Sequence, residues 1–320
     1  MASSWAAGPS PLLQFSAERK YSLSWDPLTG AGYLEKDGVF VSFAFDQPYI
    51  LIDWKRIEKA PAPYLSEGRA YLPEALAERI SKILDAPANG SKHSYSVAAI
   101  LIDPGHGGKD SGAIADLNEG RIMEKDLTLE VSRRVVDLLK SRYPARKVLV
   151  TRKGDSYPSL EDRVSMANDV ELGEGEAVIY VSIHANASFN KQAKGYEVWY
   201  LNPEYRRTVV DEQTVKEKGS DIAPILNAML EEEFTTESII LARKVYDRLG
   251  AEIGQRSPGR GIRAEEWFVV RNAKMPSILI EIGFITHPEE GVMLSSSAYL
   301  RRIGDAIYNG IVDFIDHFER

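Results

Sequence analysis

From Val97 to the C-terminal end, short apolar runs alternate with amphipathic stretches long enough to form helices, and this alternation leaves little choice of fold. The runs ILID, KVLVTR, AVIYVSIHAN, GYEVWYL and SILIEIGFI read as strands. Between and after them lie helix-like segments such as EKDLTLEVSRRVVDLLKSRY, LEDRVSMANDV, ESIILARKVYDRLGAEI and the closing YLRRIGDAIYNGIVDFIDHF. In the first of these, Leu127, Val131, Val135 and Leu138 recur at helical spacing and mark an inner face. Such a succession predicts an α/β fold, a mostly parallel central sheet flanked by helices.

The preceding part of the chain has a different rhythm. Residues 12–57 alternate apolar and polar over short runs (YSLSW, AGYLEKDGVFVSFAF, YILIDW), broken by the turn signals DPLTG and KDG, which predicts a small β-rich unit. The phrase GRAYLPEALAERISKIL continues it, with Pro73 suited to the first turn of a helix. Residues 85–96, DAPANGSKHSYS, are rich in Ala, Pro, Gly and Ser and read as a linker, with His93 a solvated member of it. The expected organisation is a β-rich accessory domain over 1–90, a linker over 91–97 and the α/β domain over 98–320. The phrases WDPLTG and GRAYLP resemble the accessory domain named after the N-terminal region of copper amine oxidases, although their order is the reverse of that along one repeat. That region contains no histidine, so the resemblance implies no copper site.

With 44% hydrophobic and 27% charged residues, 320 residues suffice for a sizeable core. A formal charge of -8 argues against nucleic acid as a partner, since phosphate binding needs clustered Lys and Arg. The absence of cysteine removes disulfides, thiolate metal ligands and a thiol nucleophile together, so any metal must be held by His and carboxylates. No apolar stretch approaches the roughly 18 to 20 residues that span a bilayer. The start, MASSWAAGPSPLLQF, lacks the basic segment and long apolar core of an intact signal peptide, which leaves either a cytosolic protein or a replaced targeting segment.

Four residues carry the chemistry. The run AAILIDPGHGGKDSG takes a strand into a loop in which Gly105, Gly107 and Gly108 surround His106, with Asp103 just before it. His184 ends a second strand, AVIYVSIHAN, and in an open α/β sheet functional residues gather at the carboxyl ends of parallel strands. Glu124 opens the helix after the glycine-rich loop, so His106, Glu124 and His184 can form a three-ligand zinc arrangement with an open fourth position. Glu281 lies inside ILIEIGFI, where an unpaired carboxylate costs several kcal/mol by order of magnitude; a hydrogen bond to water at the metal would compensate it and make Glu281 a general base. Each has a purely structural reading as well: a turn residue, a helix N-terminal charge, a bonded core histidine and a partner for a buried Arg. His287, in THPEE, and His317, in the last helix, read as surface residues.

PGHGGKDSGA, the pair Glu124–Lys125, VSIHANA and EIGFITHPEE stand in the order found in zinc-dependent N-acetylmuramoyl-L-alanine amidases of the bacterial cell wall, which residues 98–320 resemble nearly end to end. TRKGDSYPSLEDRVSMAN and GIRAEEWFVVRNAKMPSILIEIGF add to the likeness. The resemblance implies one Zn2+ per catalytic domain held by His106, Glu124 and His184, with Glu281 as the catalytic base, and hydrolysis of the amide between N-acetylmuramic acid and L-alanine in peptidoglycan. Asn186 is a candidate for orienting a ligand or the substrate, and Arg271 for meeting a stem-peptide carboxylate through its planar fork.

Relatives that serve in cell division carry an extra helix that blocks the zinc site until an activator protein moves it. SDIAPILNAMLEEEF, within residues 205–235, resembles it, with one of Glu231, Glu232 or Glu233 occupying the open zinc position; a solvated acidic helix is the other reading. A peptidoglycan substrate implies the cell envelope outside the cytoplasm, in the periplasm or wall. Two competing readings stay open: a silent wall-binding or divisome scaffold, and a zinc endopeptidase that cuts within the stem.

Overall fold

A computed structural model describes residues 8–26, 30–52, 56–86, 96–118, 120–173, 175–210, 215–216 and 223–319. Most of the expected linker, with His93, and much of the insert before residue 223 lie outside the described residues. The chain divides into two compact units, Met1–Ser94 with Thr208–Glu233, and Tyr95–Arg207 with Phe234–Arg320.

The first unit is built from antiparallel strands. Strands β1 (Ser10–Pro11), β7 (Tyr64–Ser66) and β8 (Arg69–Leu72) form one small sheet. The strands β2 (Ser22–Asp26), β3 (Ala31–Lys36), β4 (Val39–Ala44), β5 (Tyr49–Ile52) and β6 (Arg56–Lys59) form a five-stranded meander. Helices α1 (Leu12–Arg19) and α2 (Glu74–Leu84) close its core. Leu76, Ile80 and Leu84, spaced for one helix face, bury against Leu34, Val41, Phe43 and Ile50. Val210, Leu226 and Met229 join this unit by packing on Leu51.

The second unit is the expected α/β layer structure. Its elements are β9 (Ser96–Pro104), the hairpin β10 (Ile114–Leu117) and β11 (Gly120–Met123), α3 (Glu124–Arg142), β12 (Lys147–Val150), α4 (Leu160–Asn168), β13 (Glu176–Asn186) and β14 (Tyr196–Leu201). They are followed by α5 (Ala223–Ile253, in this unit from Phe234), β15 (Gly259–Glu265), α6 (Phe268–Asn272), β16 (Ser277–Phe284), α7 (Pro288–Leu294) and α8 (Ser297–Phe318). The sheet order is β12-β9-β13-β16-β14-β15. The first four strands run parallel, β14 is antiparallel to β16, and β15 is parallel to β14.

Ile100, Ile102, Ile179, Val181, Ile183, Ile280 and Ile282 point to one face and pack with α3, α5 and α8. On α3 the buried stripe is Leu127, Val131, Val135 and Leu139, so the fourth position falls on Leu139 and Leu138 turns half outward. The opposite face carries Ala99, Leu101, Val178, Tyr180 and Leu279, covered by the shorter helices α4 and α6. FVVRN is thus a helical segment, and GRGIRAE, too polar to stand out as a strand, is the sheet edge. Strands with apolar residues on both faces are the expected outcome when helices cover both sides of a parallel sheet.

Candidate active site

The loop after β9 is fixed before any functional side chain is considered. Asp103, fully buried, accepts hydrogen bonds from Thr151 Oγ1 (2.6 Å), Arg163 Nη1 (2.7 Å) and Ser182 Oγ (2.8 Å). It is therefore a structural anchor and stands outside the metal-ligand cluster. Burial alone pushes its carboxyl up, but the Arg163 charge and these donors outweigh it and hold Asp103 below its ordinary range. Arg163 also donates to the carbonyls of Pro104 and His106, each at 2.7 Å. A second buried guanidinium, Arg152, donates to the carbonyls of Pro104 (3.1 Å), Gly105 (2.8 Å) and Lys125 (2.7 Å). The Ser159–Asp162 capping box starts α4 at Leu160, three residues before Arg163, which fixes where that arginine leaves the helix.

On this scaffold His106 has φ 59°, a left-handed conformation that a non-glycine residue adopts only where its surroundings impose it. Its Nδ1 lies 2.9 Å from Asp110 Oδ2, so the carboxylate accepts the Nδ1 proton and Nε2 is left to face inward. Glu124 reaches the same point because the β10–β11 hairpin pairs Ile114 with Met123 and so returns the chain beside Ala113. The Ala113 N–H donates to Glu124 Oε2 (2.9 Å) and the Ala185 N–H to Oε1 (3.0 Å). His184 comes from the end of β13, and a Cβ on Gly105 would stand 2.4 Å from its ring, so only glycine fits there.

His106 Nε2 and His184 Nδ1 each lie 3.0 Å from Glu124 Oε1, and one donor atom from each residue falls within 4.8 Å of the others. Ligand atoms around tetrahedral zinc at about 2.0–2.1 Å are roughly 3.3 Å apart, so this donor set and spacing fit such an ion. Burial raises the Glu124 carboxyl, yet hydrogen bonds from His106 and His184 and their charges bring it far below the ordinary range. Burial lowers His106, while Glu124 and Asp110 more than reverse this and raise it.

Register places Glu281 beside the cluster. In the β13–β16 pair His184 stands opposite Glu281, and in the β16–β14 pair Glu281 stands opposite Glu197, so the three share one face in one row. Glu281 Oε2 is buried and has no hydrogen-bond partner among the described residues. Burial first, then the charges of Glu124 and Glu197, push its carboxyl well above the ordinary range. Glu197 is itself buried, accepting from Asn186 Nδ2 (2.7 Å) and Arg260 Nε (3.0 Å), with Arg263 Nε at 3.5 Å.

This geometry coincides with a family. A model of the N-acetylmuramoyl-L-alanine amidases matches residues 100–313. The chain belongs to the N-acetylmuramoyl-L-alanine amidase family. It is 28% identical over 227 residues to the amidase LytC of Bacillus subtilis, a match that covers 71% of this chain and 37% of that one. It is 31% identical over 243 residues to the probable amidase AmiB of Haemophilus influenzae, covering 70% of this chain and 54% of that one. These matches therefore span about a third and about half of the relatives' lengths. Among solved structures, an N-acetylmuramoyl-L-alanine amidase of Clostridium difficile has a TM-score of 0.52 at 30% identity, covering 70% of this chain and 98% of the other. The amidase match begins at residue 100 and does not confirm the likeness of the first unit to the copper amine oxidase accessory domain.

The other sequence candidates lie outside the three-donor cluster. Asn186 is bonded to Glu197, so its amide serves the row described above. Arg271 on α6 lies against the rings of Tyr205 and Phe268, at 5.6 and 5.7 Å. Glu231 is buried in α5 and Glu232 and Glu233 are half-buried there. His287 is buried and caps α7 by accepting from the Glu290 N–H, so the surface reading of it is corrected; His317 is exposed. Sequence reasoning missed Arg152, Arg163, Asp110 and Glu197. The only signal for them was that charged residues interrupt otherwise apolar or glycine-rich motifs.

Proposed function

We propose that the protein is a zinc-dependent amidase that hydrolyses the amide between N-acetylmuramic acid and L-alanine in peptidoglycan, with one Zn2+ held by His106, Glu124 and His184. The observation that carries this reading is the buried, unpartnered Oε2 of Glu281 in the row beside three convergent ligands. Bound there, zinc supplies Lewis acidity toward the scissile carbonyl and brings the pKa of water toward neutrality. Glu281, unpartnered at Oε2 beside the three donors, takes the proton from attacking water and passes it to the departing amine. Asp110 keeps His106 in one tautomer, and Arg152 and Arg163 keep the ligand loop in place. Asn186, through Glu197, and Arg271 border the substrate.

The test is digestion of purified peptidoglycan with and without a chelator, followed by mass analysis. Free stem peptides beside intact glycan, lost on chelation and restored by zinc, support the reading. Cleavage within the stem makes the protein an endopeptidase, and no cleavage with zinc restored, by the intact chain or by the chain lacking residues 205–235, makes it a silent scaffold.

The substrate puts the protein in the cell envelope, in the periplasm or wall. We assign the insert at 205–235 an autoinhibitory role suited to cell division, with Glu231, Glu232 or Glu233 contesting the open metal position and an activator protein relieving it. The acidic run Glu231–Glu233 on a helix supports this. Deleting residues 205–235 should raise peptidoglycan hydrolysis several-fold, and activity no higher than that of the intact chain removes the idea.

A further inference from the structure

Next to Glu281, the sheet edge carries a cationic and aromatic surface that neither the metal cluster nor the proton transfer uses. Trp199 on β14 stands opposite Arg263 on the edge strand β15, and the guanidinium of Arg263 lies over the Trp199 ring, 5.6 Å from its centroid. Trp267 meets Trp199 edge-on at 6.1 Å and is 43% exposed. Glu197, the acid of the row, already accepts from Asn186 on Oε1 and from Arg260 on Oε2. Arg263 approaches that same Oε2 only at 3.5 Å, and its side chain keeps 43% of its surface in solvent. One buried carboxylate thus faces two guanidiniums, and the group of three has a net charge of +1. A planar guanidinium stacked on an indole loses little freedom when a carboxylate docks on its outer edge, and its fork matches two oxygens.

We infer that Arg263, stacked on Trp199 and flanked by Trp267, is a carboxylate subsite that selects stem peptides by the free carboxylate of the acidic residue following L-alanine. This rests on the amidase reading and names the part of the stem that the site recognises. Glu281 marks where the amide is cut, and Arg263 is reached from it across Glu197 on the same sheet face. A carboxamide at that position of the stem removes the charge and one acceptor while keeping the shape, so it is the natural contrast.

The experiment uses two soluble muramoyl-peptides that differ only in a carboxylate or carboxamide on that residue, with the zinc-loaded protein. In parallel, calorimetry measures binding of the two matching free stem peptides to the zinc-free protein. The wild type should prefer the acid about 10- to 100-fold in kcat/KM and in affinity, the range for a charge-assisted bidentate contact. In Arg263→Ala the acid-to-amide ratio should fall to within about twofold of unity, chiefly through KM, and Arg263→Lys should recover part of it. A wild-type protein without preference, or an Arg263→Ala protein with the wild-type ratio, overturns the subsite. Loss of the ratio in Arg271→Ala with its retention in Arg263→Ala overturns it in favour of Arg271. Failure of both the wild type and the protein lacking residues 205–235 to cleave either substrate overturns the amidase reading, and the binding ratio then shows whether the carboxylate contact stands without it.

Discussion

Replacing Arg163 with Met should cost far more than loss of one charge at a surface. The Arg163 and Asp103 side chains are 3% and 1% exposed, and removing one partner of such a buried pair costs about 3–5 kcal/mol because the other charge stays buried. The carbonyl of His106 also loses its donor, worth about 1–3 kcal/mol if left unmet, while Pro104 keeps Arg152. Thr151 and Ser182 still donate to Asp103, which caps the total near the lower end, about 4 kcal/mol. The sign with pH follows from Asp103, whose folded-state carboxyl lies below the ordinary range. Its contribution is present above the unfolded value near about 4 and fades as pH falls through the folded value. The gap between wild type and Arg163→Met should therefore be widest at neutral pH and shrink below about pH 4 as Asp103 takes a proton in the variant. Hydrogen exchange at the β9 and β13 amides reads opening of this sheet by itself. The double variant Asp103→Asn, Arg163→Met should recover about 1–2 kcal/mol, since no unpaired charge remains. A single-variant loss under about 1 kcal/mol, or a gap independent of pH, refutes the account of the loop as held by this pair.

Glu281→Gln should lose at least about 100-fold in amide hydrolysis while binding zinc stoichiometrically, checked by mass analysis and metal content. Because the Glu281 carboxyl is raised in the folded protein, its stabilising contribution is full below the unfolded value and is lost as pH rises through the folded one. The zinc-free Glu281→Gln protein should accordingly melt above the wild type at neutral pH and level with it near about pH 4, and a pH-independent offset counts against the assignment. Asp110→Ala removes the acceptor that fixes the His106 tautomer and should weaken zinc about 10- to 100-fold in competition with a chromophoric chelator. Gly105→Ala drives a methyl into the His184 ring and should weaken zinc by at least about 10-fold, so wild-type affinity there would mean that the loop yields without cost.

The layered architecture of the second unit and the meeting of His106, Glu124 and His184 in one cluster were legible because each signal is local. Apolar runs name the strands, and glycines around His106 announce a bent loop at a strand end. What was hidden depends on contacts distant in sequence. Asp103 stood out only as a carboxylate just before the His106 loop; its donors come from Thr151 after β12, Ser182 on β13 and Arg163 on α4, and only the order β12-β9-β13 brings them together. His287 looked exposed because HPEE is polar, yet the carboxylate of Glu290 folds inward to accept from the N–H groups of Gly195 and Phe284 and buries the turn. β15 was missed because an edge strand needs apolar residues on neither face, and its burial pattern is largely exposed.

That edge strand shows how the row of acids becomes tolerable. Glu281 and Glu197 are directly opposite on neighbouring strands, an arrangement that costs stability unless cations intervene. Arg260 and Arg263 are three residues apart, and in a regular strand an odd separation puts side chains on opposite faces. Here Tyr196 pairs with Gly259 but Val198 pairs with Ile262, so β15 carries one extra residue over this stretch, and Gly261 takes φ 107° within it. The bulge turns both guanidiniums toward Glu197, at 3.0 and 3.5 Å. One inserted residue in GRGIR thus does two things: it neutralises the acid beside Glu281, and it leaves the second arginine with charge to spare for a ligand at the sheet edge.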